Sequence, residues 1–360
     1  MEFKIAGRTI GKNGKVFIIA ELSANHLQRF ELAVKSIKAI KEAGADAVKL
    51  QACSPDTLTI DSKRQYFQIK QGTIWDGKYL YQLYKETYTP WAWLPKLKKM
   101  AQELNLVCFS SVNDKSAVDF LENLDTPLYK IPSFEITDIP LIEYVASKRK
   151  PVLFSTGIAT LAEIKEAVNI CLAKANNQIA ILKCTSTYPA RLDELNLKTI
   201  PDLEKKFKTI IGLSDHTLSI AVPLAAVALG AQIIEKHFIL DRELGGPDAT
   251  FSLEPQEFRE MVIKIREVEE SLGVVKYEFT ERVKQSREFA RSLFIVKDIK
   301  AGDRLTGENI RSIRPGFGLA PKYYNKVLGK KVRLNVKRGT PLKWEMLDMS
   351  LGCQRKGKAC

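Results

Sequence analysis

The sequence predicts an α/β chain in which a closed (β/α)8 TIM barrel precedes a small β-rich domain. Three observations predict it. Eight short apolar runs, mostly β-branched, recur between residues 16 and 238. Stretches with apolar residues at three- and four-residue spacing, the mark of amphipathic helices, separate most of them. From about Phe289 the texture changes to short strands and turns. At roughly 150 residues per domain, a chain of 360 residues suits one large domain and one small one.

Residues 1–16 read as a hairpin. Phe3, Ile5, Thr9 and Ile10 flank Gly7, and Lys12-Asn13-Gly14 is a second turn signal. The eight runs follow: VFIIAE (16–21), DAVKLQ (46–51), LVCFSS (106–111), LYKIPS (128–133), PVLFST (151–156), IAILKCT (179–185), TIIGLSDH (209–216) and QIIEKHF (232–238). Helical patterns lie at 31–44, 92–105, 115–124, 139–148, 161–174 and 219–230, and a last one at 254–273 ends on Gly273 as a C-cap. Continuous apolar strands alternating with helices argue for a parallel sheet covered by helices, and eight units favour closure into a barrel. The aromatic-rich insert 52–91 reads as an extended loop over one end of it. The barrel domain is placed at 1–274, a charged linker at 275–288, the β-rich domain at 289–350 with turns in IKAGD and VKRGT, and a disordered tail at 351–360.

Composition narrows the function. Apolar residues at 45% and charged residues at 27% fit a folded globular protein. No run approaches the roughly 18 apolar residues of a membrane span, and the N-terminus lacks the apolar core of a signal peptide. The net charge of +14 would suit nucleic acid, an acidic surface or a small anion. The basic residues form no block and no nucleic-acid motif, so a small anionic substrate is expected. Cys53, Cys108, Cys171, Cys184, Cys353 and Cys360 form no CxxC, as expected of reduced thiols in the cytoplasm.

In such a barrel the chemistry sits where strands end. Here the ends carry Glu21, Asn25 and His26; Lys49 and Gln51; Ser110 and Ser111; Lys130, Ser133 and Glu135; Ser155 and Thr156; Lys183, Thr185, Ser186 and Tyr188; Ser214, Asp215 and His216; Glu235, Lys236 and His237. One polar strand end is ordinary capping. Eight on one rim describe a pocket of cations and hydroxyls suited to a phosphate and a carboxylate. His216 and His237 lie one βα unit apart, so they end adjacent strands about 4.8 Å apart. Two imidazoles at that separation can hold one divalent cation, with Asp248 or Glu235 as possible oxygen partners, a set suiting Mn, Co or Mg. His26 either orients substrate or only fixes its loop.

The segments AELSANH (20–26), YKIPSFEITDIPLI (129–142), STGIAT (155–160), KCTSTYP (183–189), GLSDHT (212–217), ALGAQIIEKHF (228–238) and GGPDATFSLEP (245–255) resemble the sialic acid synthase family. FARSLF, KDIKAGD, RPGFGLAPKYY and LGKK resemble that family's antifreeze-like (SAF) domain. SANH, GTIWDGKYLYQLY, KCTSTYP and RPGFGLAPKYY are most similar to its pseudaminic acid branch. Val112-Asn113 stand where Pro-Phe is expected, Pro132 where Ala is usual, and Cys53 where an aromatic residue or Thr is common.

The resemblance implies that phosphoenolpyruvate and water combine with an open-chain acylamino sugar to give a nine-carbon 2-keto acid and phosphate. The sugar implied is 2,4-diacetamido-2,4,6-trideoxy-L-altrose, with a mannose-configured sugar, as in neuraminate or legionaminate synthesis, as the alternative. It implies that Lys49, Ser110, Lys130, Ser133, Ser155, Ser186 and Ser214 hold phosphoenolpyruvate. His216 and His237 hold the metal, and Glu21 positions or deprotonates the water. Asn25, Glu135, Tyr188 and Asp248 contact the sugar. Arg314 joins them from a partner subunit, in a homodimer whose C-terminal domain is swapped onto the other barrel. A Schiff-base aldolase on Lys49, Lys130 or Lys183 is the competing enzyme class, and a sugar- or ice-binding module the non-enzymatic one.

Overall fold

β-branched and aromatic side chains pack well on both faces of a buried sheet, and the eight apolar runs form strands where they are expected. In the computed structural model, which describes residues 2–12 and 14–348, an antiparallel hairpin of β1 (Glu2–Ile5) and β2 (Arg8–Gly11) comes first. The barrel strands are β3 (Phe17–Glu21), β4 (Ala47–Ala52), β5 (Val107–Val112), β6 (Tyr129–Ile131), β7 (Val152–Ser155), β8 (Ile179–Cys184), β9 (Ile210–Asp215) and β10 (Ile233–His237). They pair in parallel and in chain order, and β10 closes the barrel onto β3. The turn residue Asn13, the end of the β-rich domain after residue 348, and the tail 351–360 with Cys353 and Cys360 lie outside the described residues.

Helices cover the outside. Three of them begin at a side-chain cap that satisfies a free backbone N–H: Asp114 before Lys115–Asn123, Asp138 before Ile139–Ser147, and a Thr160–Glu163 capping box before Leu161–Ala173. Their apolar stripes meet the outward faces of the strands in one continuous cluster. Full burial of such a side chain is worth roughly 1.5–3 kcal/mol. The last barrel helix, Pro255–Leu272, ends at Gly273.

The hairpin closes the N-terminal end. Phe3, Ile5 and Ile10 pack into the barrel interior against Phe17, Ile19, Phe109 and Ile233. Polar groups clamp it from outside: Asp46 accepts from Arg8, from Arg266 (3.1 Å) and from the Ile18 N–H (2.9 Å).

Three segments differ from the sequence reading. The insert is not only loop: it carries the helices Pro55–Leu58 and Leu80–Thr87, the longer burying only Leu83. Thr199–Phe207 is a helix that buries Ile200 and Leu203; Pro201 and a charged face conceal it in the sequence. The stretch read as a linker holds an exposed helix, Glu281–Ser286, capped by Thr280.

The chain divides into two compact units between Gly273 and Val274. The second contains β11 (Ser292–Ile295) paired antiparallel with β12 (Ile310–Ile313). Its core is built from Leu293, Ile295, Ile299, Leu305, Ile310, Val336 and Leu342. Single bridges such as Ile299↔Val336 complete its β character, and the turns IKAGD and VKRGT use Gly302 and Gly339 at φ +88° and +86°. Among the described residues no helix is long and apolar enough to cross a membrane.

Candidate active site

Every second residue of a barrel strand faces the interior. Toward the hairpin these inward residues are apolar: Ile19, Ala47, Phe109, Leu128, Leu153, Leu182 and Ile233. Two residues further along the same columns stand Glu21, Lys49, Ser111, Lys130, Ser155, Cys184 and Glu235. With Ser214 and His237 they line a cavity of about 580 Å³ at the C-terminal end of the barrel.

The centre of this polar layer is Glu235. It is buried, and Lys49 Nζ lies 2.6 Å and Lys130 Nζ 3.2 Å from its Oε1. Ser214 Oγ donates to the same oxygen at 3.1 Å. Lys49 also pairs with Glu21 Oε2 at 2.9 Å, and Lys130 donates to Ser155 Oγ at 2.6 Å. An ammonium has three donors, so each lysine keeps one for a ligand. Burial would raise the Glu21 carboxyl, but Lys49 and His237 hold it well below the usual carboxylate range. Against the same burial, Lys130 and Lys49 lower Glu235. Burial lowers the Lys130 ammonium against the pull of Glu235. For Lys49 the two carboxylates outweigh burial and keep it charged.

Hydroxyls of Ser133, Ser155 and Ser186 add to the lining on or just after β6, β7 and β8. Ser133 Oγ accepts from the Gly157 N–H at 3.1 Å. A Cβ at Gly157 would lie 1.9 Å from Ser186 Oγ and 2.9 Å from Ser133 Oγ. Only glycine lets the backbone come this close to both serines.

The two imidazoles meet edge to face with ring centroids 5.3 Å apart. His216 Nδ1 lies 3.0 Å from the Thr185 carbonyl oxygen. A carbonyl only accepts, so Nδ1 carries the hydrogen and Nε2 the lone pair. His237 Nε2 is 3.1 Å from Glu21 Oε2, and its Nδ1 is buried without a partner. Each ring can thus offer a lone pair to a cation, and a carbonyl that accepts from the other ring nitrogen, as at His216, is the kind of partner that fixes a metal ligand. No group of three or more His, Cys, Asp or Glu suited to a metal ion occurs among the described residues. A cation held by this pair alone would leave its other positions to substrate and water. Tyr188 stacks on His216 at 4.5 Å and against Trp75 of the insert at 5.5 Å. Trp75 Nε1 donates to the Pro247 carbonyl at 3.2 Å, which ties the insert to the rim.

Of the residues expected here, Glu21, Lys49, Lys130, Ser133, Glu135, Ser155, Ser186, Tyr188, Ser214, His216, His237 and Asp248 line this one cavity. Ser110 does not. It is buried on the other face of β5, and Ser111, in register with Phe109, takes its place, because one residue along a strand reverses the face. Asn25 does not line the cavity either. Its amide donates to the Phe238 carbonyl (2.8 Å) and to Ser252 Oγ (2.9 Å), joining two rim loops. Glu235, considered as a metal partner, holds both lysines through Oε1, and its Oε2 is buried without a partner. Asp248 accepts from Ser23 Oγ and the Ala24 N–H.

His26 fixes its loop. Its Nε2 is 3.1 Å from Thr89 Oγ1, its Nδ1 accepts from the Gln28 N–H, and burial lowers its pKa to about 4. Lys183 lies outside the cavity, donating to the Cys184 carbonyl and Thr185 Oγ1. Arg314 belongs to the second unit, where it follows β12 with an exposed side chain. Asn113 and Gln51 are lining residues that the sequence reading gave no role.

A NeuB family model matches residues 36–277 and a SAF domain model residues 290–348. The pseudaminic acid synthase of Campylobacter jejuni subsp. jejuni is 47% identical over 329 residues, 91% of this chain and 96% of that protein. The pseudaminic acid synthase of Helicobacter pylori is 44% identical over 335 residues, 93% and 98% of the two. Among solved structures, an N-acetylneuraminic acid synthetase from Leptospira borgpetersenii in complex with citrate superposes with a TM-score of 0.72 at 31% identity, covering 80% of this chain and 96% of that one. Fold, motifs and matched length agree: the chain belongs to the NeuB family of sialic acid synthases.

Proposed function

We propose that this enzyme makes pseudaminic acid from phosphoenolpyruvate, water and 2,4-diacetamido-2,4,6-trideoxy-L-altrose, releasing phosphate. The observation that carries the chemistry is the convergence of Lys49 and Lys130 on Glu235 beside the His216–His237 pair, in one cavity. The two relatives at 47% and 44% identity support the choice of sugar.

The lysines, with Ser133, Ser155, Ser186 and Ser214, hold the phosphate and carboxylate of phosphoenolpyruvate with their remaining donors. That fixes the enol carbon against the sugar aldehyde, and fixing geometry supplies much of the rate. A divalent cation, Mn, Co or Mg, held by His216 and His237 would supply Lewis-acid polarisation of the aldehyde. The enol carbon bonds to the aldehyde carbon, whose carbonyl π pair moves to its oxygen, and C2 is left electron-deficient; the alkoxide so formed ends as a hydroxyl by taking up the proton released from water. Glu21, kept ionised, takes a proton from the water that adds there. The adduct collapses to the ketone as its bond to the phosphate oxygen breaks. The lysine ammoniums stabilise the departing charge.

The reading extends to a homodimer in which the partner subunit's Arg314 completes each site at the acylamino group. The exposed Arg314 and the SAF match support it. Removing residues 289–360 should abolish turnover and leave the barrel folded; full activity in the truncated chain overturns the swap. Schiff-base chemistry suits Lys49 poorly, since it is held charged between two carboxylates, so Lys130, which burial lowers, is the lysine that borohydride trapping would have to reveal.

Phosphate release from phosphoenolpyruvate, measured with the altrose-configured sugar and with its neuraminate and legionaminate counterparts, tests the reading. The altrose sugar should dominate, EDTA should stop turnover, and Mn or Co should restore it. Preference for a mannose-configured sugar, or indifference to chelation with trapping by borohydride, contradicts it.

A further inference from the structure

The mechanism leaves one polar pair in the cavity unused. Asn113, just after β5, donates from Nδ2 to Glu135 Oε1 at 2.7 Å. The other oxygen, Glu135 Oε2, is buried and has no partner. Both residues line the cavity, and Glu135 sits in the short turn after β6. In the closed strand order, β5 and β6 stand across the barrel from β9 and β10, which carry the imidazoles to the rim. The groups proposed to hold the anion are Lys49 on β4, Lys130 on β6, and serines on or just after β6, β7, β8 and β9. An open-chain sugar with its aldehyde at the imidazoles therefore runs its distal carbons toward Asn113 and Glu135.

Apolar side chains from the insert, Leu58, Ile69, Leu80 and Leu83, line the same cavity, with the hydroxyls of Tyr84 and Thr87 among them. One unfilled acceptor in a cavity with this apolar wall matches a substituent that brings one N–H and a methyl group. The apolar side chains match a deoxy carbon. A hydroxyl placed against the leucines would lose its hydrogen bonds to water without replacement.

We propose that Asn113 is the specificity-determining residue of this site: it holds Glu135 so that Oε2 takes the N–H of a second, distal acylamino group, while the insert's apolar wall takes its methyl group and the deoxy carbon. The inference rests on the function proposed above and names the part of the substrate that this part of the cavity reads. Asn113 is a positioning residue, and the contact with sugar is made by Glu135 and the wall.

The test compares kcat/KM for the 2,4-diacetamido-2,4,6-trideoxy sugar and for N-acetylmannosamine, which carries hydroxyls at the distal carbons. Phosphate release is the readout at saturating phosphoenolpyruvate. The wild type should prefer the first sugar by roughly a hundredfold, about what an apolar pocket achieves against an added hydroxyl. Asn113→Ala should cut that preference at least tenfold, through the KM for sugar, and leave the KM for phosphoenolpyruvate unchanged. Leu80→Ser, at the partly exposed edge of the wall, should narrow the preference independently by improving use of N-acetylmannosamine. A folded Asn113→Ala enzyme with unaltered sugar preference, beside an active wild type, overturns the assignment. A wild type that releases no phosphate with either sugar overturns the proposed function itself and this inference with it.

Discussion

The two ends of the barrel are made from the same strands and the same inward columns, yet they do opposite things. At the hairpin end Ile19, Ala47, Leu153 and Ile233 pack against Phe3, Ile5 and Ile10 and exclude water. One pleat further on, Glu21, Lys49, Ser155 and Glu235 hold charge and hydroxyls around a cavity. The fold is secured at one end, so the other can bury four charges whose mutual pairing is worth little to stability compared with an apolar core. Stability and chemistry are thus separated by a single two-residue step.

Mutations at the two ends should separate in the same way. His237→Ala strikes the mouth hardest: turnover should fall about a thousandfold, some 4 kcal/mol of barrier, with weakened manganese binding and little change in thermal unfolding. Wild-type turnover in that variant would break the comparison. Ile233→Ala, on the same face of β10 but two layers deeper, should do the reverse. It should cost about 2–5 kcal/mol of stability, read from denaturant midpoints, with the KM for phosphoenolpyruvate unchanged.

His26 sharpens the contrast, because it lies at the mouth and yet serves structure. Its folded pKa, about 4, lies below the ordinary histidine value of 6.5. Its contribution is therefore present above pH 6.5 and lost as the pH falls toward 4. Between pH 7 and pH 5 the wild type should lose about 2 kcal/mol more stability than His26→Gln; parallel pH–stability curves would contradict this. Gly157→Ala is the mildest test. A Cβ there meets Ser186 and Ser133, so the KM for phosphoenolpyruvate should rise by about tenfold with kcat less affected.

Much of this was legible in the sequence, for a physical reason. Runs buried on both faces are continuous and apolar, so all eight strands declared themselves, and the polar residues ending them marked the rim. The same continuity hid which residues point inward. LVCFSS ends in two serines, and only the packing of Phe109 in the interior shows that Ser111 rather than Ser110 faces the cavity. Asn25 stands in a motif rich in site residues, but its Nδ2 donates to Phe238 and Ser252 and it does not line the cavity. That fact belongs to loop geometry, not to residue type. The role of Glu235 depends on Lys49 and Lys130 reaching it from β4 and β6. No spacing in the chain encodes such a contact. The helix Thr199–Phe207 was missed because its buried stripe is only Ile200 and Leu203 among charged residues.

The central claim is that one polar layer above an apolar plug binds both the phosphorylated substrate and the cation. A crystal structure of the enzyme soaked with phosphoenolpyruvate and manganese tests it most directly. The anion should sit on Lys49, Lys130 and the serines of β6 to β8, with the ion on His216 and His237. An anion bound at the hairpin end, or manganese held away from both imidazoles, would contradict it.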